Sequence, residues 1–233
     1  MRVMAFSPHP DDEINCAGTL AKYADQGHEV AIVFVTNGEV GSATMDKVQT
    51  AKVRKAEAFA SAAVINARCF WMGFQDEFLY TGESVRLEIL EVIRKFDPDI
   101  IICPDKDNDY HPDHISTGQL VWDVRVMTTV PNIPTLSPPC TKIPVIYYMD
   151  TVMGINFVPE IYVDVSKYWE AKAKMLACHV SQQGWMLDQY DVTHEEFVRV
   201  HSMFRGLQTG CRHAEAFRAP KFFPERTRNE GLL

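Results

Sequence analysis

The sequence contains no pair of cysteines at the spacing of a redox or zinc motif. Its six cysteines lie far apart along the 233 residues, and no two of them form a C-x-x-C pair. Isolated cysteines of this kind are typical of buried free thiols. The cysteine pattern therefore argues against both a disulfide framework and a cysteine-ligated zinc site.

Basic residues and long apolar runs are also scarce. The 23 Lys and Arg residues are outnumbered by 31 Asp and Glu residues, which gives a net charge of −8 without any basic cluster. This balance argues against nucleic acid and anionic membranes as partners. No apolar run approaches the roughly 18 residues of a membrane span, and the chain enters a predicted strand directly after Met1. We therefore expect a cytoplasmic protein.

Apolar runs and helical patterns alternate through the first half of the chain. One run, Val30–Val35, is apolar throughout, as in parallel strands that helices cover on both faces. The alternation predicts an α/β fold with a Rossmann-like, doubly wound, mostly parallel sheet of order 3-2-1-4-5, followed by extra strands and helices. The length fits one domain spanning residues 1–233, with disorder expected at 225–233. A G-x-G-x-x-G turn is absent after the first strand, which disfavours a nicotinamide-dependent dehydrogenase.

Strands and helices are assigned from these periodicities and from the turn residues between them. The predicted strands are Arg2–Ser7, Glu29–Thr36, Arg68–Met72, Asp99–Cys103, Val145–Met149 and Glu160–Val163. The predicted helices are Glu13–Asp25, Asp46–Ala63, Ser84–Phe96, His111–Val124, Ser166–His179 and Thr193–Leu207.

The tripeptide His-Pro-Asp follows two of these strands. His9-Pro10-Asp11 comes after the first strand, and His111-Pro112-Asp113 comes after the fourth. In the predicted sheet order these two strands are neighbours, and the direction of winding reverses between them. Open α/β sheets bind ligands in the crevice beyond the carboxyl ends of the strands at such a point. The two motifs should therefore face each other across one crevice.

Imidazole and carboxylate side chains in this crevice indicate a metal site. Both suit Zn²⁺, and three protein ligands with one open position make a catalytic zinc site. His9 and Asp12 are three residues apart at a helix start, as are His111 and His114, so each pair can point the same way. We interpret His9, Asp12 and His114 as ligands of one Zn²⁺ ion, or of another divalent ion in its place. Asp11 and His111 then flank the open position.

This arrangement predicts acid–base roles for the remaining motif residues. Zinc lowers the pKa of a bound water from 15.7 to roughly 7, and Asp11 is placed to deprotonate that water as it attacks a carbonyl. A protonated His111 would donate to the oxyanion or to the leaving nitrogen. Asp113 is expected to orient His111 and to favour its charged form.

Helix capping is the competing interpretation of the two motifs. A proline and acidic residues in a first helical turn complement the helix macrodipole, which accounts for Pro10-Asp11-Asp12 or Pro112-Asp113 taken alone. Capping does not explain why a histidine precedes each proline, nor the presence of His114. The metal site is therefore the favoured interpretation.

The first motif is part of a longer resemblance. Pro8–Glu13, followed by Gly18–Ala21, resembles the opening signature of the LmbE-like (PIG-L) family of zinc-dependent N-deacetylases. Further segments resemble the family's later landmarks in the same order: Thr36–Glu39 with Gly41, Arg54-x-x-Glu57, His111–His114, His179-x-Ser181-Gln182 and Gly210–Arg218. The stretches around Tyr110–Gly118 and Arg212–Arg218 are similar to the branch that includes diacetylchitobiose deacetylases.

The resemblance implies an activity and a site. Members of the family remove the acetyl group from an N-acetylated amino sugar, frequently a GlcNAc moiety. Carried over by motif position, His9, Asp12 and His114 would hold zinc, Asp11 would be the general base, and His111 would assist the oxyanion. The implied partners are a small acetamido sugar and further copies of the chain.

Three more residues are candidates for substrate contact. Arg54 offers five fixed donors to a hydroxyl or carboxylate, with a surface ion pair to Glu57 as the alternative. Asp76 lies in the loop that leaves the third strand, where it either contacts sugar hydroxyls or caps a turn. Tyr110 borders the second motif and is placed to line or gate the pocket.

Two other functions stay open from the sequence. A metal-dependent phosphoesterase would need a second, harder cation, for which Asp105, Asp107 and Asp109 offer carboxylates. A non-catalytic carbohydrate-binding protein would instead hold a structural zinc in a closed site with four ligands.

Overall fold

A seven-stranded sheet with apolar layers on both faces forms the centre of the computed structural model, which describes residues 1–221 except for the side chain of Trp185. The strands are β1 Arg2–Ser7, β2 Glu29–Thr36, β3 Arg68–Phe74, β4 Ile100–Cys103, β5 Val145–Met149, β6 Ile161–Asp164 and β7 Ala214–Arg218. The helices are α1 Ala17–Asp25, α2 Lys47–Val64, α3 Glu83–Phe96, α4 Pro112–Val124, α5 Trp169–Ala177, α6 Val180–Tyr190 and α7 His194–Leu207. The tail predicted to be disordered, 225–233, lies outside the described residues.

The strand order is β3-β2-β1-β4-β5-β7-β6. Its first five strands are parallel and confirm the predicted order 3-2-1-4-5. Strand β1 pairs with β2 on one side and with β4 on the other, so Val3 lies opposite both Val30 and Ile100. Strand β7 lies between β5 and β6 and runs antiparallel to both, so β6 is the edge strand on this side of the sheet.

Alternate residues of the strands belong to two separate hydrophobic cores, one on each face of the sheet. On β1, Val3 and Ala5 belong to one apolar cluster, while Met4 and Phe6 belong to the other. All four are essentially inaccessible to solvent. Because side chains of a strand point alternately to opposite faces, both faces of the sheet are covered. This burial explains the unbroken apolar runs that predicted the parallel sheet.

The first helix begins later than predicted. A short 3₁₀ turn, Asp12–Cys16, precedes α1, whereas the sequence pattern placed a helix from Glu13 onward. The Glu13 amide donates to Ser7 Oγ (2.9 Å), and Cys16 has φ −126° and ψ 10°, outside the helical range. The first motif therefore sits on a tight turn rather than on a regular helix.

The C-terminal third contains two elements that the sequence analysis missed. The predicted helix Ser166–His179 is a 3₁₀ turn at Ser166–Tyr168 followed by α5, and a separate helix, α6, follows His179. The other missed element is β7, whose Ala-Glu-Ala start has low β-propensity. The general prediction of extra C-terminal strands and helices is confirmed.

Strand β7, which was not predicted from the sequence, contacts the start of the helix that follows the first motif. Glu215 is 3% exposed, and its two oxygens accept hydrogen bonds from the amides of Gly18 (2.8 Å) and Thr19 (2.7 Å) at the start of α1. Lys172 Nζ donates to the same carboxylate at 2.7 Å. A carboxylate at a helix N-terminus complements the macrodipole. Glu215 therefore ties the C-terminal strand to the helix that follows the motif.

Among residues 1–221, none of the helices combines the length and the apolar character needed to cross a membrane.

Candidate metal centre and active site

The two His-Pro-Asp motifs meet beyond the carboxyl ends of β1 and β4. The ring centroids of His9 and His111 are 4.7 Å apart, and those of His9 and His114 are 5.3 Å apart. The parallel pairing of β1 with β4 places the two strand ends side by side, as the predicted sheet order required. Residues distant in the sequence thus form one cluster.

Asp12 lies between two of these histidines. Its Oδ2 atom is 3.0 Å from His9 Nδ1 and 3.1 Å from His114 Nε2. The same oxygen accepts the backbone N–H of His9 at 2.8 Å, which fixes the carboxylate in place. One nitrogen of each ring is therefore directed at the same carboxylate oxygen.

The other nitrogen of each ring faces a carboxylate on its far side. His114 Nδ1 lies 3.0 Å from Asp109 Oδ2. His9 Nε2 lies 3.2 Å from Asp76 Oδ1 and 3.3 Å from Asp113 Oδ2. Metal-ligating histidines show this arrangement, in which an outer carboxylate fixes the tautomer and the ring orientation.

The electrostatics of the cluster favour positive charge. Burial favours the neutral ring of His114, but Asp12 and Asp109 outweigh it and raise the pKa of His114 to about 9. Burial likewise opposes the charged form of His9, yet hydrogen bonds to Asp113, Asp12 and Asp76 raise its pKa well above the usual value. Cations compete with protons for such ligands. The imidazole and carboxylate donors therefore fit a divalent ion such as Zn²⁺.

More side chains converge than a three-ligand site needs. Nitrogens of His9, His111 and His114 lie within 4.8 Å of one another, and atoms of His9, Asp76 and Glu77 form a second such group. Within residues 1–221, both groups that could hold a metal contain His9. His9 is therefore common to every candidate ligand set found.

The backbone of Asp11 is held in a strained conformation. Its φ of 134° lies in a region that residues with a side chain rarely adopt. The Asp11 amide donates to Glu13 Oε2 at 3.0 Å, and Arg54 Nη2 donates to Asp11 Oδ1 at 3.2 Å. Burial raises the pKa of Asp11, while the charge of Arg54 opposes that rise. These two hydrogen bonds therefore hold Asp11, the candidate base, in a fixed position next to the histidine cluster.

Arg54 lies behind Asp11 and is only 4% exposed. It donates to the carbonyl oxygens of Pro10 (2.7 Å) and Gly38 (3.2 Å) in addition to Asp11. The alternative of a surface pair with Glu57 is wrong, because Glu57 instead accepts hydrogen bonds from the amide and hydroxyl of Ser181. The contacts of Arg54 in the structure position the candidate base.

Two glycines make room for this arginine. Gly38 adopts φ +64°, and a Cβ at Gly41 would lie 2.4 Å from Arg54 Nη1. We expect Gly41→Ala to lower the free energy of unfolding by about 1–3 kcal/mol, the cost of overpacking a filled site. Urea denaturation measures this loss. Gly184→Ala is the control, because its Cβ would meet nothing within 4 Å; equal stability of the two variants would contradict the tight fit around Arg54.

Glu13 connects Asp11 to two other elements. It is fully buried, and its Oε1 accepts from Ser61 Oγ on α2 and lies 2.6 Å from His179 Nε2 just before α6. Burial alone would raise the pKa of Glu13, but His179 outweighs it and lowers the pKa. Sequence analysis assigned no role to this pair, although both residues lie in the quoted motifs. The structure makes them the buried support of the Asp11 turn.

His111 and Asp113 differ from the prediction. The Asp113 carboxylate accepts the amides of Glu77 (2.8 Å) and Leu79 (3.2 Å) and faces His9, whereas the side-chain partner of His111 is Glu77, 3.2 Å from its Nε2. Burial and the neighbouring imidazoles lower the pKa of His111. The expectation that Asp113 supports a charged His111 is therefore wrong, because the carboxylate is occupied by the loop after β3 and by His9.

The other two substrate candidates lie in different environments. Asp76 is 2% exposed and accepts the amide of Val40 at 3.2 Å, so its carboxylate lies behind His9 rather than on an open surface. Tyr110 is 55% exposed beside His111. The exposed position of Tyr110 suits a residue that lines the entrance to the candidate site. The buried position of Asp76 suits a residue that supports His9, a candidate metal ligand.

The three carboxylates proposed for a second cation point to other partners. Asp105 accepts hydrogen bonds from Arg218 Nη2 (2.8 Å) and Asn108 Nδ2 (2.9 Å). Asp107 accepts a hydrogen bond from Lys106 Nζ (2.6 Å). Asp109 uses one oxygen for His114 and the other for the amide of Tyr110. These contacts disfavour the two-ion site that a phosphoesterase would need.

Comparisons with known proteins extend over most of the chain. A family model described as PIG-L, GlcNAc-PI de-N-acetylase, matches residues 4–125. Diacetylchitobiose deacetylase of Thermococcus kodakarensis is 31% identical over 229 residues, which cover 93% of this chain and 82% of that protein. The structure of N,N'-diacetylchitobiose deacetylase from Pyrococcus horikoshii is similar with a TM-score of 0.81 at 28% identity, covering 94% of this chain and 83% of the other.

A hydratase has the same fold. The structure of 4-carboxy-2-hydroxymuconate hydratase from Pseudomonas putida is similar with a TM-score of 0.83, covering 98% of each chain at 18% identity. At that identity the likeness concerns the fold alone, and the fold alone does not fix the reaction. The match to residues 4–125 spans both His-Pro-Asp motifs, and the Thermococcus relative aligns with nearly the whole sequence. The chain therefore belongs to the PIG-L family, whose model carries the description GlcNAc-PI de-N-acetylase.

Proposed function

We propose that the protein is a zinc-dependent hydrolase that removes the acetyl group from an N-acetylated amino sugar of the GlcNAc type. One observation carries the proposal: two buried histidines each direct one nitrogen at Asp12 and the other at an outer carboxylate. Similarity to deacetylases of acetamido sugars supports the choice of reaction.

His9, Asp12 and His114 are the proposed zinc ligands. The pairing of His114 with Asp109, and of His9 with Asp76 and Asp113, supports this set over one that includes His111. His111 is paired with Glu77, whose side chain is 47% exposed. When bound, zinc acts as a Lewis acid and provides a nucleophilic water at neutral pH.

Asp11 is the proposed general base. Its carboxylate accepts a proton from the attacking water, and the contact with Arg54 holds it in the orientation needed to do so. Its strained backbone is fixed by Glu13, so little reorganisation accompanies the proton transfer. The proton is then available for the amine that leaves.

His111 is the proposed donor to the reacting amide. Its ring centroid is 4.7 Å from that of His9, and its Nε2 lies 3.2 Å from Glu77 Oε1. A hydrogen bond from this ring to the carbonyl oxygen would stabilise the negative charge that develops there. Arg54 and Asp76 position Asp11 and His9, so their proposed part in substrate binding is indirect.

Acetate release tests the proposed reaction. We expect the zinc-loaded protein to release acetate from at least one member of a panel of N-acetylated sugars, with one zinc ion per chain. An enzymatic acetate assay and elemental analysis measure the two quantities. A zinc-loaded protein that releases no acetate from any of them would refute the deacetylase. Two ions per chain would favour the phosphoesterase instead.

Three wider predictions accompany this function. A single domain over residues 1–233 is supported by the fact that the seven strands found within residues 1–221 all lie in one sheet. A homo-oligomer and a cytoplasmic location stay predictions from the family resemblance and from the composition.

A further inference from the structure

The carboxylate of Asp105 organises the loop that leads from β4 to the second His-Pro-Asp motif. Asp105 is fully buried. Its Oδ1 accepts the amide of Asp107 at 2.9 Å, and its Oδ2 accepts from Asn108 Nδ2 at 2.9 Å. Its backbone oxygen accepts the amide of Asp109 at 3.1 Å. This one buried residue therefore fixes the course of the loop as far as Asp109.

Asp109 connects this loop to both histidines of the second motif. Its Oδ2 lies 3.0 Å from His114 Nδ1. Its Oδ1 accepts the amides of Tyr110 at 2.8 Å and of His111 at 3.1 Å. His114 is a proposed zinc ligand, and an outer carboxylate sets the orientation of such a ring. A displacement of Asp109 would therefore displace the His114 ring as well.

Arg218 of β7 is the cationic partner of Asp105. Its Nε donates to Asp105 Oδ2 and its Nη2 donates to Asp105 Oδ1 at 2.8 Å, so the contact is bidentate. Nη2 also lies 3.6 Å from Asp107 Oδ2. Burial would raise the pKa of Asp105, but the hydrogen bonds from Arg218, the Asp107 amide and Asn108 outweigh it and lower the pKa. The buried carboxylate is therefore held in its charged form.

The register of the sheet brings Arg218 within reach of the loop. Arg218 pairs with Tyr148 of β5, and Tyr148 pairs with Cys103, the last residue of β4. The guanidinium carbon of Arg218 lies 5.4 Å from the centroid of the Tyr148 ring. The side chain thus extends across β5, over the tyrosine ring, to the loop that begins after Cys103. The contact with Asp105 therefore depends on the place of β7 in the sheet.

Strand β7 also contacts the helix of the first motif, from its other face. Glu215 accepts two amides at the start of α1. Because side chains alternate along a strand, Glu215 and Arg218 lie on opposite faces. Phe217 belongs to the core that contains α1, and Ala216 belongs to the core that contains α4. Since α1 follows the first motif and α4 the second, β7 contacts the support of both motifs.

We propose that Arg218 is a positioning residue for the proposed zinc ligand His114. It acts through two carboxylates in series, those of Asp105 and Asp109. This inference rests on the proposed function, because it concerns the proposed ligand set. Together with Glu215, the arginine makes β7 the strand that holds the two halves of the candidate site at a fixed spacing.

Zinc affinity in a double-mutant cycle tests the connection. Arg218→Met removes the guanidinium group and should weaken zinc binding by about 3- to 10-fold, less than the loss typical of a direct outer-shell partner. In an Asp105→Asn background the same change should alter the affinity by less than about twofold, because the partner of the arginine has already been changed. Titration calorimetry with zinc chloride measures both effects. Equal, additive losses in the two backgrounds would contradict a route through Asp105.

Arg2→Met is the matched control. Arg2 Nη2 lies 2.6 Å from Asp97 Oδ2, and this ion pair is at the start of β1, at the opposite end of the strand from the motif. The side chain of Arg2 is 38% exposed and that of Arg218 is 23% exposed. Arg2→Met should lower the Tm and leave zinc affinity unchanged. An equal loss of affinity in both variants would make Arg218 a general stabilising contact and overturn the proposal.

Hydrogen exchange separates this inference from the proposed function. The amides of Asp107, Tyr110 and His111 donate to the two carboxylates that connect Arg218 to His114. In the metal-free protein, Arg218→Met should make these amides exchange about fivefold faster or more, and the control variant should not. NMR measures the rates without zinc or turnover. Such an acceleration would support the positioning role even if the protein bound no zinc and released no acetate.

Arg218→Lys is a second, milder variant that carries the test if Arg218→Met does not fold. Lysine keeps the positive charge but not the bidentate contact, so it should accelerate exchange at the same three amides by a smaller factor. Unchanged exchange at these amides in a folded Arg218 variant would refute the positioning role, even if the protein were a fast deacetylase.

Discussion

Asp11→Asn is expected to lower kcat for acetate release by about 10²- to 10⁴-fold while one zinc ion per chain stays bound. General-base catalysis contributes rate factors of this size. The amide oxygen of asparagine can still accept the Arg54 hydrogen bond, but the side chain can no longer take a proton at neutral pH. Steady-state kinetics and elemental analysis of the same preparation measure the two effects together.

A second Asp→Asn change controls for the substitution itself. Asp25 ends α1 and accepts a hydrogen bond from the Tyr168 hydroxyl at an exposed site. Since α1 starts beside the candidate site and runs away from it, Asp25→Asn should retain the wild-type rate. If Asp11→Asn kept its rate, Asp11 would not be the base. If it lost zinc as well as activity, Asp11 would be a ligand instead.

The sheet order and the meeting of the two motifs were predictable from sequence because both depend on repeated patterns. Parallel strands that are buried on both faces appear in the sequence as unbroken apolar runs. The alternation of four strands with helices predicts that β2 and β4 lie on opposite sides of β1, which is the point where the direction of winding of the sheet reverses. Strand β7 carried no such pattern, since Ala214 and Glu215 favour other structures. Its place in the sheet is fixed by packing and by the contacts of Glu215 with α1.

The roles of the individual carboxylates were harder to predict from the sequence. Asp11, Asp12, Asp76, Asp109 and Asp113 are chemically equivalent, and spacing alone does not say which faces a histidine. Asp113 was expected to support the neighbouring His111, yet the helix start turns its carboxylate toward Glu77, Leu79 and His9. Such assignments depend on where separate loops meet in space.

Arg54 illustrates the same limit with a different outcome. On the helical pattern of α2 it could pair with Glu57, one turn away. The structure buries it beneath the first motif instead, where Gly38 and Gly41 leave room for its guanidinium group. The glycines and the arginine were quoted as separate landmarks of the resemblance. The structure shows that the two glycines leave the space that the buried guanidinium group of Arg54 occupies.

His114→Ala is expected to remove zinc binding, with a loss of affinity greater than 100-fold. It deletes a ligand nitrogen that faces Asp12 and leaves Asp109 without its imidazole partner. Because a ligand that binds only the folded state stabilises it, added zinc should raise the Tm of the wild-type protein but not that of the variant. Thermal unfolding with and without zinc measures this difference independently of any turnover.

Two further variants locate the metal ligands within the cluster. Asp109→Asn keeps the shape of the outer carboxylate but removes its charge, so zinc affinity should fall by about 10- to 100-fold, as for other outer-shell partners. His111→Ala should retain zinc and lose turnover, since His111 is paired with Glu77 rather than with Asp12. If both His111→Ala and His114→Ala lost zinc, the ligand set would include the three imidazoles of His9, His111 and His114. If His111→Ala lost zinc and His114→Ala kept it, His111 would replace His114 as a ligand. In either case another group would have to donate the hydrogen bond to the reacting amide.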